Sequence, residues 1–197
     1  MINLPTCPPV RSASMRLVSF AVDQVPSQGG PQSRVLRLGD RFAGEFVTYP
    51  AAYAEEGRVY LSRLMRGMTE TVVIGVPEPG MRGVHYGNPQ ILSGGAFGST
   101  IKIKWLVPGI KIPEGKFLSI ITNGQRFLYQ ASADVIADGE GIATLPIYPM
   151  LRRQPQVNDV VELSAPKIEG FVQGNQMQWE VTKSKRIGFV FQVMERE

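Results

Sequence analysis

The sequence predicts a mainly β fold, namely a β-sandwich-like domain with one helix that carries a small β-barrel or sandwich domain as an insertion. Short segments of alternating apolar and polar residues recur along the chain at a spacing typical of strands joined by turns. The 197 residues include 21 glycines and 15 prolines, and this composition favours many turns. A single stretch, over about residues 50–66, has the three- and four-residue apolar spacing of a helix.

The N-terminal part predicts strands over residues 15–22, 34–38 and 41–48, with a turn at 26–31. In the third of these strands Phe42, Gly44 and Phe46 alternate with polar or small residues, as in a half-buried antiparallel strand. Residues 71–76 form another short predicted strand, which ends at Pro77.

The predicted helix has charges that suit its dipole. Thr48 is expected to cap it and Pro50 fits its first turn, while Glu55 and Glu56 lie early and arginines lie late. We expect its apolar face to pack on the sheet; the residues of that face are Tyr53, Gly57, Tyr60, Leu61, Leu64, Met65 and Met68.

The second half predicts a separate set of short strands, around residues 101–105, 118–121, 127–135, 141–148 and 160–163, with a tight turn at 138–141. After Pro166, residues 177–181 and 187–193 predict a hairpin whose odd-numbered positions form an apolar face. That face needs a partner sheet, which the N-terminal strands can supply. We therefore predict a discontinuous β-domain from residues 1–80 and 167–197, and an inserted small β-domain from residues 83–166.

Composition excludes several kinds of chemistry. The chain has one cysteine (Cys7) and one histidine (His85), so it has neither an intrachain disulfide nor a two-histidine metal site. Charged residues make up 19% of the chain, below the roughly 25% that is usual, and the net charge is +4. Basic residues are scattered, apart from clusters at 152–153 and 183–186, which we interpret first as solvated turns and second as phosphate contacts. We expect no specific nucleic-acid binding, no secretory signal and no membrane insertion.

The candidate reactive residues lack the neighbours that catalysis or metal binding would need. His85 lies in a glycine-rich connector with no evident acid or nucleophile beside it. Asp134, Asp138 and Glu140 lack the complete spacing of a calcium loop, and a plain hairpin turn is the favoured interpretation.

Two further features are also interpreted as structural. Residues 94–100 lack the Gly-Lys-Ser/Thr ending of a phosphate loop, and we expect them to form a flexible connection into the inserted domain. Trp105 and Trp179 lie in alternating segments, so we expect them to pack in a core. The sequence therefore nominates no catalytic, cofactor-binding or metal-binding residue.

The order of several segments resembles a known group of proteins. The strand at 41–48, the helix ending Leu-Ser-Arg-Leu-Met-Arg-Gly at 61–67 and the following strand before Pro77 are similar to the first half of that group. In the second half the matching segments are 115–120, 126–129, 138–149 and 151–155. The group is the minor tail or distal tail (tail-tip) protein family of bacteriophages with long flexible tails.

This resemblance implies a structural virion protein without an active site or cofactor. Such proteins form a ring, usually a hexamer, that joins the tail tube to the hub and fibres. The implied partners are further copies of the chain, the tail tube protein, and the hub and tape-measure proteins. The implied location is the virion tail tip, after assembly in the host cytoplasm.

The residues themselves are compatible with this function and leave alternatives open. Many short strands leave edges that neighbouring subunits can cover, and we expect assembly through such edges and the loops 22–33 and 80–100. Residues 1–14 are interpreted as a disordered tail or as an arm ordered only on a neighbouring subunit. A host-surface glycan-binding module is the second hypothesis, and it predicts an exposed aromatic platform beside acids and amides. A cell-wall-degrading enzyme is the third and weakest.

Overall fold

The computed structural model describes residues 1–25, 27, 29–35, 37–81 and 83–196, and within them the mainly β fold is confirmed. Helical structure in these residues consists of a π-helical turn at Tyr53–Gly57 that leads directly into α1 at Arg58–Arg66. In chain order the strands are β1 (Ile2–Asn3), β2 (Val10–Val18), β3 (Val22–Gln24), β4 (Ser33–Val35), β5 (Arg41–Thr48), β6 (Ala51–Ala52), β7 (Val72–Gly75), β8 (Gly87–Ile91), β9 (Thr100–Leu106), β10 (Lys111–Ile112), β11 (Phe117–Thr122), β12 (Gln125–Ala131), β13 (Val135–Ile136), β14 (Ala143–Tyr148), β15 (Val160–Glu162), β16 (Lys167–Val172), β17 (Arg186–Ile187) and β18 (Val190–Glu195).

Both ends of the chain contribute to a six-stranded sheet with the order β1-β7-β16-β18-β5-β2. The β1–β7 pair is parallel and the other pairs are antiparallel. The helix α1 covers one face of this sheet, where Tyr60 stacks on Phe189 with ring centroids 5.0 Å apart. Phe46 stacks in turn on Phe191, at 5.7 Å, so aromatic side chains fill the centre of this core.

The middle of the chain forms a closed barrel with the order β11-β12-β14-β9-β8-β15. Its strands alternate inward and outward residues, so that Ile101 and Ile103 of β9 point into the core with Leu145 and Ile147 of β14. The seam between β8 and β15 is short, since Val160 and Gln90 are its one ladder pair. The barrel spans residues 87–162 and the sheet spans 2–75 and 167–195; their division into two domains that fold separately stays a prediction.

Buried carboxylates connect the barrel to the sheet. Glu195 of β18 accepts hydrogen bonds from the backbone N–H groups of Phe42 in the sheet and Leu128 in the barrel, both at 2.7 Å, and pairs with Arg152. Glu78, in the connection between the two units, forms an ion pair with the buried Lys116. These bonds hold the two units together, because a buried carboxylate needs hydrogen-bond donors and these donors come from both units.

The N-terminal segment is ordered on its own chain, which contradicts the interpretation of residues 1–14 as a disordered tail or as an arm ordered only on a neighbour. Ile2 and Asn3 pair with β7 at one edge of the sheet, and Ile2 is part of the core. Residues 10–18 form β2 at the opposite edge. The strand predicted at 15–22 therefore begins five residues earlier and ends at Val18.

The predicted helix begins later than expected, and its predicted cap has another role. Residues 51 and 52 pair with β17 as the short strand β6, which delays the first helical turn to Tyr53. The Thr48 hydroxyl accepts a hydrogen bond from the Phe189 N–H at 3.1 Å instead of capping the helix.

The predicted C-terminal hairpin forms only in part. Residues 177–180 have no strand structure and Val181 makes a single bridge to Ile187. The second arm is as predicted, because Ile187, Phe189, Phe191 and Val193 are all buried. The predicted turn at 26–31 and the strand at 34–38 include Pro26, Gln28 and Leu36, which lie outside the described residues.

Candidate functional site

His85 lies exposed in the connector before β8. Within the described ranges, no group of three or more His, Cys, Asp or Glu side chains is arranged to hold a metal ion. A search of the same residues found no helix with the length and apolar character of a membrane span.

The acidic residues near the 138–141 turn serve that turn and the surface around it. Asp138 Oδ1 accepts hydrogen bonds from the backbone N–H groups of Glu140 and Ile142, at 2.9 and 2.8 Å, which closes the turn. Asp134 pairs with Lys111 at 2.5 Å, and the hydrogen bond from Lys111 lowers the pKa of that carboxyl. The turn is therefore confirmed, but it does not close a hairpin: among the described residues β13 pairs with β10, and β14 pairs with β12 and β9.

Residues 94–100 are part of the barrel and not a connection into it, which corrects that expectation. They join β8 to β9, and the carbonyl of Gly98 accepts a hydrogen bond from the Leu151 N–H at 2.8 Å. The connection into the barrel runs instead through the residues that follow β7.

The segment between β2 and β5 carries a projecting hairpin with an apolar surface. Its strands β3 and β4 pair with each other and with no other strand among the described residues. Exposed apolar side chains occur along it, including Val25 at 71% and Leu38 at 68% exposure. We name residues 19–40 the projecting hairpin.

Polar contacts hold the shape of the projecting hairpin. Asp23 and Arg34 form a two-pronged ion pair across its strands, at 2.6 and 2.9 Å, and the hydrogen bond from Arg34 lowers the pKa of Asp23. At its base, Asp40 Oδ1 accepts a hydrogen bond from the Phe20 N–H at 2.7 Å. The exposed apolar side chains therefore lie on a hairpin whose conformation is held by hydrogen bonds and an ion pair.

Trp105 lies on the outside of the barrel, so the expectation that it packs in a core is wrong. Its side chain is 55% exposed, and its backbone is left-handed with φ 64°. The kink at Trp105 depends on Gly87 and Gly141, because a Cβ at either position would overlap the backbone of Trp105 or Leu106. Trp179 is also exposed, in the irregular segment before β17.

Lys104 lies over the exposed ring, and Asn158 binds Lys104. The Lys104 ammonium lies 4.6 Å from the centroid of Trp105, and it donates a hydrogen bond to Asn158 Oδ1 at 2.7 Å. Asn158 is itself held by a bond from its N–H to the Ile91 carbonyl. Trp105, Lys104 and Asn158 thus form a fixed aromatic and polar group, which we name the Trp105 platform.

Comparisons with known proteins add no family to these observations. No protein-family model matches the chain, and a search of curated proteins found no match.

Proposed function

We propose that this protein is a structural subunit of a bacteriophage tail tip. It assembles head to tail into a ring, with six copies by resemblance to distal tail proteins. In that position it joins the tail tube to the hub and fibres, in the virion and after assembly in the host cytoplasm. The observation that carries the proposal is the projecting hairpin, which presents exposed apolar side chains and pairs with no other strand among the described residues.

Physical arguments support assembly through this hairpin. An isolated two-stranded hairpin is at best marginally stable in water, and a neighbouring subunit can cover its apolar side chains. The nine-residue strand β2 adds a long open edge, since it pairs only with β5 among the described strands. The low charged fraction of 19% suits a protein with much of its surface in contact with partners.

The test is the mass of the purified full chain over a range of concentrations, by light scattering, followed by electron microscopy of the largest species. The hairpin variant Val25→Asp is expected to leave the protein monomeric. The matched control is Ile136→Asp, since Ile136 is a similarly exposed apolar residue on β13 of the barrel region. A wild-type chain that stays monomeric at every concentration, and that is absent from purified tails, would contradict the proposal.

A second candidate function is recognition of a host-surface saccharide, and the Trp105 platform favours it. An exposed indole face can stack on the apolar face of a sugar ring, while the ammonium of Lys104 and the amide of Asn158 can bond its hydroxyl groups. The saccharide hypothesis predicts acids and amides beside the exposed aromatic ring. Asn158 supplies the amide, whereas the charged residue at the ring is Lys104 and not an acid.

The test is a glycan array probed with the full chain and with Trp105→Ala. Binding that is lost in Trp105→Ala and retained in Trp179→Ala supports the saccharide site, because Trp179 is the second exposed tryptophan. An array without signal, or binding that both variants retain, would contradict it.

A further inference from the structure

The edge strand β1 covers only part of β7. Ile2 donates to the Thr71 carbonyl at 2.7 Å and Leu4 donates to the Val73 carbonyl at 3.1 Å, which is the last bond of this pairing. Ile2 and Leu4 are alternate donors, so Thr6 would be the next, and no hydrogen bond joins Thr6 to Gly75 among the described residues. β7 itself continues to Gly75.

The backbone of Gly75 consequently faces an open edge. In an antiparallel pair, alternate residues turn their N–H and C=O groups toward the partner strand and the intervening ones turn theirs away. Val76 donates to Pro166 on the β16 side, whereas Val73 faces β1, so Gly75 faces the same side as Val73. Gly75 is exposed, and a Cβ built on it would meet no atom within 4 Å.

This open edge forms one side of a groove of about 370 Å³. Leu4, Pro5, Pro77 and Pro166 give it apolar walls, and Thr6, Glu78 and Ser164 add polar groups to the lining. Tyr60 also lines the groove and is 1% exposed. We name this space the Gly75 groove.

The chemistry of the Gly75 groove suits an extended polypeptide. A strand can exchange backbone hydrogen bonds with Gly75, place apolar side chains against the prolines and offer a polar group to the Tyr60 hydroxyl. Such an occupant must have a free strand edge and exposed apolar side chains.

The projecting hairpin has both properties. β3 and β4 pair only with each other among the described strands, so their outer edges are open, and Val22 and Val25 are exposed beside them. The Gly75 groove is lined by Val10, the first residue of β2, whereas the hairpin begins after Val18 at the other end of that strand. A nine-residue strand is about 26 Å long at about 3.3 Å per residue. Within one copy the base of the hairpin and the groove therefore lie at opposite ends of β2.

We propose that the Gly75 groove of one copy receives the projecting hairpin of the next copy as an added strand. This inference rests on the proposed function, because it supplies the contact by which the ring would form. The two surfaces differ and lie at opposite ends of β2, so the contact is head to tail and repeats from copy to copy.

The first experiment uses two differently tagged single-cysteine variants of the full chain, Gly75→Cys and Val25→Cys, each also carrying Cys7→Ser. The serine keeps a hydroxyl donor for Glu56, which Cys7 contacts at 3.0 Å. The two variants are mixed and oxidised, and the mixed disulfide is measured on a gel. The matched control replaces Gly75→Cys with Gly139→Cys, since Gly139 likewise has open space around its Cβ position.

A mixed disulfide with Gly75→Cys but not with Gly139→Cys supports the inference. Rings without this disulfide overturn the inference and leave the proposed function standing. A wild-type chain that never assembles overturns both.

The second experiment measures assembly of Gly75→Leu, whose side chain would fill the groove. We expect at least about a tenfold rise in the concentration needed for half-assembly, as for loss of a central contact. Its urea midpoint should match that of Gly139→Leu. Unchanged assembly of Gly75→Leu would overturn the inference.

Discussion

Replacing Glu195 with alanine is expected to destabilise the protein by at least about 4 kcal/mol, because this carboxylate joins the sheet to the barrel. Glu195 is 1% exposed and accepts three hydrogen bonds at 2.7 Å, from the N–H groups of Phe42 and Leu128 and from the guanidinium of Arg152. Phe42 belongs to β5 of the sheet and Leu128 to β12 of the barrel. One side chain therefore satisfies donors from both units.

The magnitude follows from what the alanine variant leaves behind. Removing one partner of a buried ion pair costs about 3–5 kcal/mol, since Arg152 would keep its buried charge without the carboxylate that pairs with it. Each backbone N–H left unpaired costs about 1–3 kcal/mol more. These terms share one carboxylate and do not add fully, so we expect a total near the upper end of the first range. That loss is a large part of a total stability of about 5–15 kcal/mol.

Urea unfolding of the full chain measures this loss as a lower midpoint at an unchanged slope. Glu140→Ala is the control, because Glu140 lies exposed in the 138–141 turn, and its effect should stay within about 0.5 kcal/mol. If Glu195→Ala does not fold, the double variant Glu195→Leu with Arg152→Met should recover stability over either single variant. A loss below about 1 kcal/mol for Glu195→Ala would refute the reasoning.

Three more predictions concern single residues. Partial burial alone would raise the pKa of Glu162, but hydrogen bonds from Arg126 and Lys167 lower it on balance. The stability that this pairing contributes should be present above about pH 4.3 and should decline as the pH falls through the lowered pKa. The thermal melting temperature of Glu162→Gln should therefore fall less steeply in acid than that of the wild type. Because Trp105 has a left-handed backbone, Trp105→Gly should be about 1 kcal/mol more stable than Trp105→Ala in urea unfolding, and equal stability would contradict the φ of 64°. Gly170→Ala should lower the free energy of unfolding by at least about 3 kcal/mol, because its Cβ would overlap the backbone of the neighbouring strand. Gly139→Ala, which has open space around the Cβ position, should change it little, and comparable losses in the two variants would refute this prediction.

The mainly β fold was predictable because alternation and turn residues act locally. The apolar face of residues 187–193 was predictable for the same reason, since every second side chain of a strand points to one side. The beginning of the helix was not, because the pairing of residues 51–52 with β17 involves residues more than 130 positions away. Residues 1–14 were misinterpreted since their order comes from pairing with β7 and β5, which no local pattern in a proline-rich segment reveals.

The surface features were harder to predict. Strict alternation through Ile101 and Ile103 places Trp105 in the core, and the left-handed kink at Trp105 reverses this. Gly87 and Gly141 leave the space that the kink needs, but they are far from Trp105 in the sequence. They approach it only when β8, β9 and β14 pair in the barrel. The Gly75 groove likewise depends on where β1 stops pairing with β7, which is a contact between residues about 70 positions apart.

Cryo-electron microscopy of the assembled full-length protein tests the central claim, that this chain forms a ring through head-to-tail contacts. The predicted result is a closed ring in which the projecting hairpin of each copy lies on the next copy. Particles in which the hairpin contacts no other copy, or dimers related by a twofold axis, would contradict it.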